Sequence, residues 1–172
     1  MLIHTANFKI IFMTPSYIEA SVKNKEKLGQ MLGVTIPEDW PSIPKAYTAL
    51  WTMLKRNKLR LIQGWWFFFI VDHIAHDLVG SVGFGGFPDQ KGEVELGYEL
   101  TAKYFKKKPD GEILNSLIGY AFTRPDVNNV IVRTGPYVEG DRQDIYRGLK
   151  MTPDYLNKDI IRWAITREAF EA

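Results

Sequence analysis

Three runs decide the fold: Trp65-Trp66-Phe67-Phe68-Phe69-Ile70-Val71, Leu78-Val79-Gly80-Ser81-Val82-Gly83-Phe84, and Glu93-Val94-Glu95-Leu96-Gly97-Tyr98-Glu99-Leu100. The first is an unbroken stretch of aromatic and branched residues that runs into Asp72, His73, His76 and Asp77. A membrane helix needs roughly 20 apolar residues, so this stretch reads as a strand from Gly64 to Val71, covered on both faces. Asp72 to Asp77 is a polar turn, and Leu78 to Phe84 completes a hairpin. Gly85 to Gly92 is a second turn. The third run alternates, with Val94, Leu96 and Tyr98 on one face and Glu93, Glu95 and Glu99 on the other. The three runs form an antiparallel meander.

Working toward the N-terminus, Phe8 to Met13 is rich in aromatic and β-branched residues and reads as a strand. Thr14-Pro15 is a helix cap followed by proline in the first turn. A short helix follows with Tyr17, Ile18 and Val22 inward. A second, Asn24 to Leu32, carries Leu28, Met31 and Leu32 and stops at Gly33. The prolines of Ile36-Pro37-Glu38-Asp39-Trp40-Pro41 make a loop. Tyr47, Leu50, Trp51 and Leu54 then share one face of a helix over Ile43 to Arg56.

Toward the C-terminus, Lys103-Tyr104-Phe105-Lys106-Lys107-Lys108 reads as a basic loop. An amphipathic helix, about Pro109 to Thr123, buries Ile113, Leu114, Leu117, Ile118, Ala121 and Phe122. Val130-Ile131-Val132 is a strand, and Asp141 to Leu149 a helix. Lys150 to Leu156 and Asp159 to Thr166 close as a strand pair. The class is α+β, with a mixed, mostly antiparallel sheet of about seven strands flanked by helices. With 172 residues and neither a linker nor a repeat, the simplest organisation is one domain, residues 1–172.

The composition excludes several functions. With 22 basic and 20 acidic residues the formal charge is +2, too balanced for nucleic-acid binding by bulk charge. The absence of cysteine excludes disulfides, thiolate metal sites and a cysteine nucleophile, and fits a reducing, cytoplasmic setting. Met1 to Asn7 lacks the pattern of a signal peptide, and no run suits a membrane. His73 and His76, flanked by Asp72 and Asp77, are spaced for a metal, but a hairpin turn explains them as well. No metal is expected, and no G-x-S-x-G elbow is present.

Two single residues and one junction remain. Glu95 sits in mid-strand, where glutamate has poor propensity; on a covered face it would be a candidate base, and on a solvated face an ordinary surface residue. Tyr146 is a polar-tipped aromatic at a core edge. The junction from Leu100 to Glu112 is a strand, a loop and a helix start, a geometry suited to phosphate. Pro109, which lacks an N–H, and Asp110, which is negative, suit instead an ordinary helix start.

In order, these segments resemble the GNAT N-acetyltransferase superfamily, and within it the ribosomal-protein-alanine acetyltransferase-like branch. Leu78 to Phe84 is similar to that branch's third strand. Gly92 to Tyr98 is similar to its V-E-I-G-Y fourth strand. Tyr104 to Leu114 stands at its pyrophosphate loop, Val127 to Thr134 at its fifth strand, and Tyr146 to Met151 at its Y-x-x-x-G-F segment. The likeness spans nearly the whole chain.

The resemblance implies acetyl-CoA, as cosubstrate, in a V-shaped splay between the family's fourth and fifth strands. Pantetheine would bond to main chain near Tyr98, Glu99 and Leu100. The pyrophosphate would meet Lys106, Lys107, Lys108, Asp110 and Gly111, and Glu139 stands where many members have an asparagine that touches pantetheine. Glu95 would take the proton from an attacking amine. Tyr146 would protonate the departing thiolate. Main-chain N–H near Leu96 to Tyr98 would steady the oxyanion. The acceptor would be a small-molecule or peptide amine. Trp40, Trp65 and Trp66 could line its cavity, although core packing explains them too. A homodimer is compatible with this reading, and no sequence feature shows one.

The pyrophosphate loop departs from the family's Q/R-x-x-G-x-G/A. Phe105 replaces the Gln/Arg, Lys108 the first glycine and Asp110 the final Gly/Ala; Lys150 and Met151 replace Gly and Phe of the later motif. Two expectations follow: an N-acetyltransferase in which lysine side chains stand in for main-chain contacts, or a GNAT-fold protein that binds a ligand or partner without transferring acetyl groups.

Overall fold

The computed structural model describes residues 2–56, 65–135 and 141–172. Eight strands and seven helices lie among them: β1 (Leu2–His4), β2 (Phe8–Phe12), α1 (Pro15–Lys23), α2 (Lys25–Leu32), α3 (Pro44–Lys55), β3 (Phe67–Asp72), β4 (Asp77–Phe84), β5 (Glu93–Leu100), α4 (Ala102–Lys107), α5 (Asp110–Phe122), β6 (Asn129–Thr134), α6 (Asp141–Gly148), β7 (Thr152–Asn157), β8 (Ile160–Thr166) and α7 (Arg167–Glu171). The strand order is β1-β2-β3-β4-β5-β6-β8-β7. β5 and β6 run parallel, whereas β1/β2, β2/β3, β3/β4, β6/β8 and β7/β8 are antiparallel. The fold is therefore α+β, with one strand more than the seven expected. The extra one is β1, a three-residue edge strand too short to show a period.

Two compact units divide the chain: Met1–Gly83 with Tyr98–Lys107, and Phe84–Gly97 with Lys108–Ala172. In the first, Thr14 caps α1 by accepting from the Tyr17 N–H, and Pro15 opens the helix where no amide is needed. Asn24 caps α2, and Gly33 ends it in the left-handed conformation at φ +68°. Ile18 and Leu28 reach a core built on Met13, Trp40, Phe69, Val71 and Leu78, against which Tyr47, Leu50, Trp51 and Leu54 of α3 pack. Trp40 and Trp65 are buried. Of the apolar residues that α2 carries, Leu28 is buried, Leu32 packs against the core and Met31 is exposed. The beginning of the expected Gly64–Val71 strand, Gly64, lies outside the described residues.

In the second unit α5 buries Ile113, Leu114, Leu117, Ile118, Ala121 and Phe122, the set its spacing predicts. β6 pairs with β8 over six positions, from Asn129↔Thr166 to Thr134↔Ile161. β7 is exposed at every residue. The basic segment read as a loop is helical: Ala102–Lys107 forms α4, whose first amide is capped by Asp39 Oδ2 at 2.7 Å. That cap comes from a residue 63 positions away, so no local signal announces it.

Gly80 holds β5 close. A Cβ built there would lie 2.0 Å from the Glu99 carbonyl oxygen, a backbone atom that cannot swing aside. At Gly97 a Cβ would meet nothing within 4 Å. Gly80→Ala is expected to lower stability by about 3 kcal/mol through overpacking, and Gly97→Ala to leave it within about 0.5 kcal/mol. Denaturant titration of both variants checks the contrast.

Candidate active site

β5 and β6 are hydrogen-bonded over a short span. Their register reads Glu93↔Asn129, Val94↔Val130 and Glu95↔Ile131 and then ends, although β6 runs on to Thr134 beside β8. The Glu95 carbonyl accepts from the Gly85 N–H at 2.8 Å, which turns the backbone groups of Glu95 toward β4. Alternation along a strand then turns those of Val94, Leu96 and Tyr98 to the other edge. Glu95 is thus the last paired residue of β5, where its second edge loses its ladder.

The Glu95 side chain is not isolated. Its carboxylate is ion-paired with the Arg133 guanidinium, and the two side chains keep 40% and 42% of their exposure. Next to them Glu93 is ion-paired with Arg162 and accepts from Asn129 Nδ2 at 2.8 Å. Arg133 and Arg162 are direct register partners across β6 and β8. Two carboxylates of β5 therefore meet two guanidiniums on one face. In the sequence Glu95 stands alone. Arg133 could have been found by parity: it lies two residues beyond Ile131, the register partner of Glu95, and so shares its face.

Tyr146, on α6, is 2% exposed and stacks on Trp163 with ring centroids 5.0 Å apart and planes 24° off parallel. Trp163 Nε1 donates to Thr134 Oγ1 at 3.1 Å, so the stack is fixed to the end of β6.

The residues expected near pantetheine, Tyr98, Glu99 and Leu100, end β5 half-buried. The Glu99 carboxylate accepts from Tyr47 Oη at 3.0 Å, from Ser81 Oγ at 2.9 Å, from the Ser42 N–H at 3.3 Å and from Ser42 Oγ. Burial and the adjacent Glu99 charge push the Tyr47 phenol well above its ordinary value, so it stays a donor. This cluster, absent from the sequence reading, joins α3 and the loop before it to β4 and β5 within the first unit.

On α4, Lys103 pairs with Asp77, and Lys107 Nζ lies 4.8 Å from the ring centroid of buried Tyr104. Lys106 and Lys107 are exposed. Lys108, at the family's glycine position, adopts φ +53°, a conformation that glycine takes at no steric cost. In the sequence Asp110 suits an ordinary acidic helix start. It is instead 1% exposed and bonded to Arg142, also 3% exposed, through Nε–Oδ1 at 3.0 Å and Nη2–Oδ2 at 3.4 Å. Its charge is neutralised inside the second unit. Gly111 packs against Ile145, at an ordinary 3.6 Å from where a Cβ would stand. Glu139 lies outside the described residues. Among those described, no three His, Asp or Glu residues gather as a metal site, and no helix is long and apolar enough to cross a membrane.

Removing one partner of the Asp110–Arg142 pair strands a buried charge. Asp110→Ala is expected to cost about 3–5 kcal/mol, with part of the loss recovered in Asp110→Ala/Arg142→Met. Urea unfolding of the two variants decides it, and a single-variant loss below about 1 kcal/mol contradicts the assignment.

No family model matches the chain. Over 139 residues it is 24% identical to the uncharacterized N-acetyltransferase YjdG of Bacillus subtilis, covering 77% of this chain and 79% of that protein. Its fold is similar to the ribosomal-protein-S5-alanine acetyltransferase of Vibrio fischeri (TM-score 0.64, 15% identity, all of both chains covered). It is also similar to the spermidine N-acetyltransferase of Vibrio cholerae, solved with CoA and spermine (TM-score 0.61, 13% identity, 97% of this chain and 99% of that one). The chain has the fold of the GNAT acetyltransferases, ribosomal-protein acetyltransferases among them.

Proposed function

We propose that this protein is an acetyl-CoA-dependent N-acetyltransferase acting on a primary amine of a small molecule or peptide. The observation that carries the reading is the end of the β5/β6 register at Glu95, which puts the main chain beyond it beside a carboxylate. Acyl transfer needs that combination: a main-chain donor for the oxyanion and a base for the attacking nitrogen.

The donor residues suit an anionic cosubstrate. Lys106 and Lys107 are exposed cations, and α5 starts nearby in sequence with its amides leading the helix dipole. Asp110 does not oppose the anion as a free charge, because Arg142 holds it. In this reading Lys106, Lys107, Lys108 and the start of α5 at Asp110 and Gly111 receive the pyrophosphate. The main chain of Tyr98, Glu99 and Leu100 receives pantetheine.

The reaction forms an N–C bond and breaks a C–S bond. Glu95 accepts the proton that leaves the amine nitrogen. A main-chain N–H between Leu96 and Tyr98 donates to the carbonyl oxygen as it gains charge. Tyr146 supplies a proton to the leaving sulfur and regains one afterwards, so the protons balance over a cycle. The alternative is a GNAT-fold binding protein without transfer activity, and Phe105, Lys108 and Asp110 at the loop's pattern positions favour it.

Calorimetric titration with acetyl-CoA, followed by thiol-release kinetics with amine acceptors, separates the two. The acetyltransferase reading expects saturable heat. It further expects a Tyr146→Phe variant that keeps cofactor affinity within about 3-fold and loses on the order of 100-fold in kcat. No heat at millimolar acetyl-CoA supports the binding protein, and equal rates in variant and parent remove Tyr146 from the mechanism.

A further inference from the structure

The pairing of Glu95 restricts which amine the site can accept. The carboxylate that is to take a proton already holds a guanidinium, so an acceptor amine competes with Arg133 for it. A displaced Arg133 has nowhere favourable to go within its own face. Its register partner is Arg162, another cation. The other carboxylate, Glu93, is engaged by Arg162 and by Asn129. An acceptor that brings only positive charge would leave two guanidiniums side by side with one carboxylate between them. Like charges directly opposed on neighbouring strands are destabilising.

An acceptor that brings an anion as well as an amine removes this conflict. Its amine takes the place of the guanidinium at Glu95, and its anion takes the place of Glu95 at the guanidinium. Both charges stay paired throughout the exchange. A planar carboxylate fits best, because the guanidinium fork matches its two oxygens. Since Glu95 and Arg133 are in direct contact, the two groups of the acceptor have to be only a few bonds apart.

We infer that Arg133 is a specificity-determining residue that selects short amino acids, molecules carrying a carboxylate near the amine, over plain alkylamines and polyamines. This rests on the acetyl-transfer reading and names its substrate class. Arg133 touches the acceptor's carboxylate and moves no proton.

The test uses matched acceptors: glycine, β-alanine and 4-aminobutyrate, each against the alkylamine left when its carboxylate is removed. The full-length protein is assayed with acetyl-CoA by thiol release, and acceptor binding is measured separately by calorimetry without acetyl-CoA. The inference expects at least one amino acid to exceed its alkylamine by about 10-fold or more in kcat/KM. In Arg133→Gln that preference falls below about 2-fold, and Arg133→Lys restores part of it. Equal use of both members of every pair, or a preference that survives in Arg133→Gln, overturns the inference while leaving acetyl transfer standing. If no amine releases thiol, acetyl transfer itself fails. Calorimetry then decides the charge exchange alone: tighter binding of the amino acid, lost in Arg133→Gln, upholds it, and equal or absent binding overturns it.

Discussion

The parallel ladder between β5 and β6 stops after three register pairs, and the chemistry proposed for this protein depends on that stop. Each strand has a stronger commitment elsewhere. β6 stays with β8 for six pairs, and Trp163 reaches back to Thr134 at its far end. β5 ends close against Gly80, whose missing side chain lets the Glu99 carbonyl approach. A backbone donor or acceptor that loses its strand partner must find water or a ligand. An edge inside a sheet is therefore a binding feature in a way that an outer edge such as β7 is not.

Electrostatics divide the neighbouring charges into two kinds. Asp110 and Arg142 are almost fully buried, hold each other in two hydrogen bonds and are fitted to fix the start of α5 against α6. Glu95 and Arg133 remain near 40% exposed, where solvent screens the pair and exchange for another partner is cheap. The first pair is suited to structure and the second to turnover. The same logic separates Glu95 from the two glutamates of β5 that end in hydrogen-bond clusters: Glu99 is surrounded by hydroxyl donors and Glu93 by Arg162 and Asn129, whereas Glu95 is paired with the half-exposed Arg133.

Much of the architecture was legible in the sequence because it is written in local periods. The alternation of Glu93–Leu100, the apolar spacing of α5 and the caps at Thr14, Asn24 and Gly33 each specify an element within a few residues. What escaped was set by distant partners. Ala102–Lys107 reads as a charged loop until Asp39 caps it. Asp110 reads as a dipole-compensating acid until Arg142, 32 residues later, claims it. Glu95 reads as an isolated carboxylate until β6 brings Arg133 to it. The candidate site is thus a set of residue types visible in the sequence, joined by pairings that only the register reveals.

The central claim concerns backbone hydrogen bonds and is tested most directly by amide hydrogen exchange along β6 in the ligand-free protein. Ile131 lies within the ladder to β5, and Arg133 is the next amide directed to the same edge. If the strands part after Glu95, Arg133 exchanges on the order of 100-fold faster than Ile131. Equal protection at both amides would mean that the ladder continues past Glu95, and the account would be wrong.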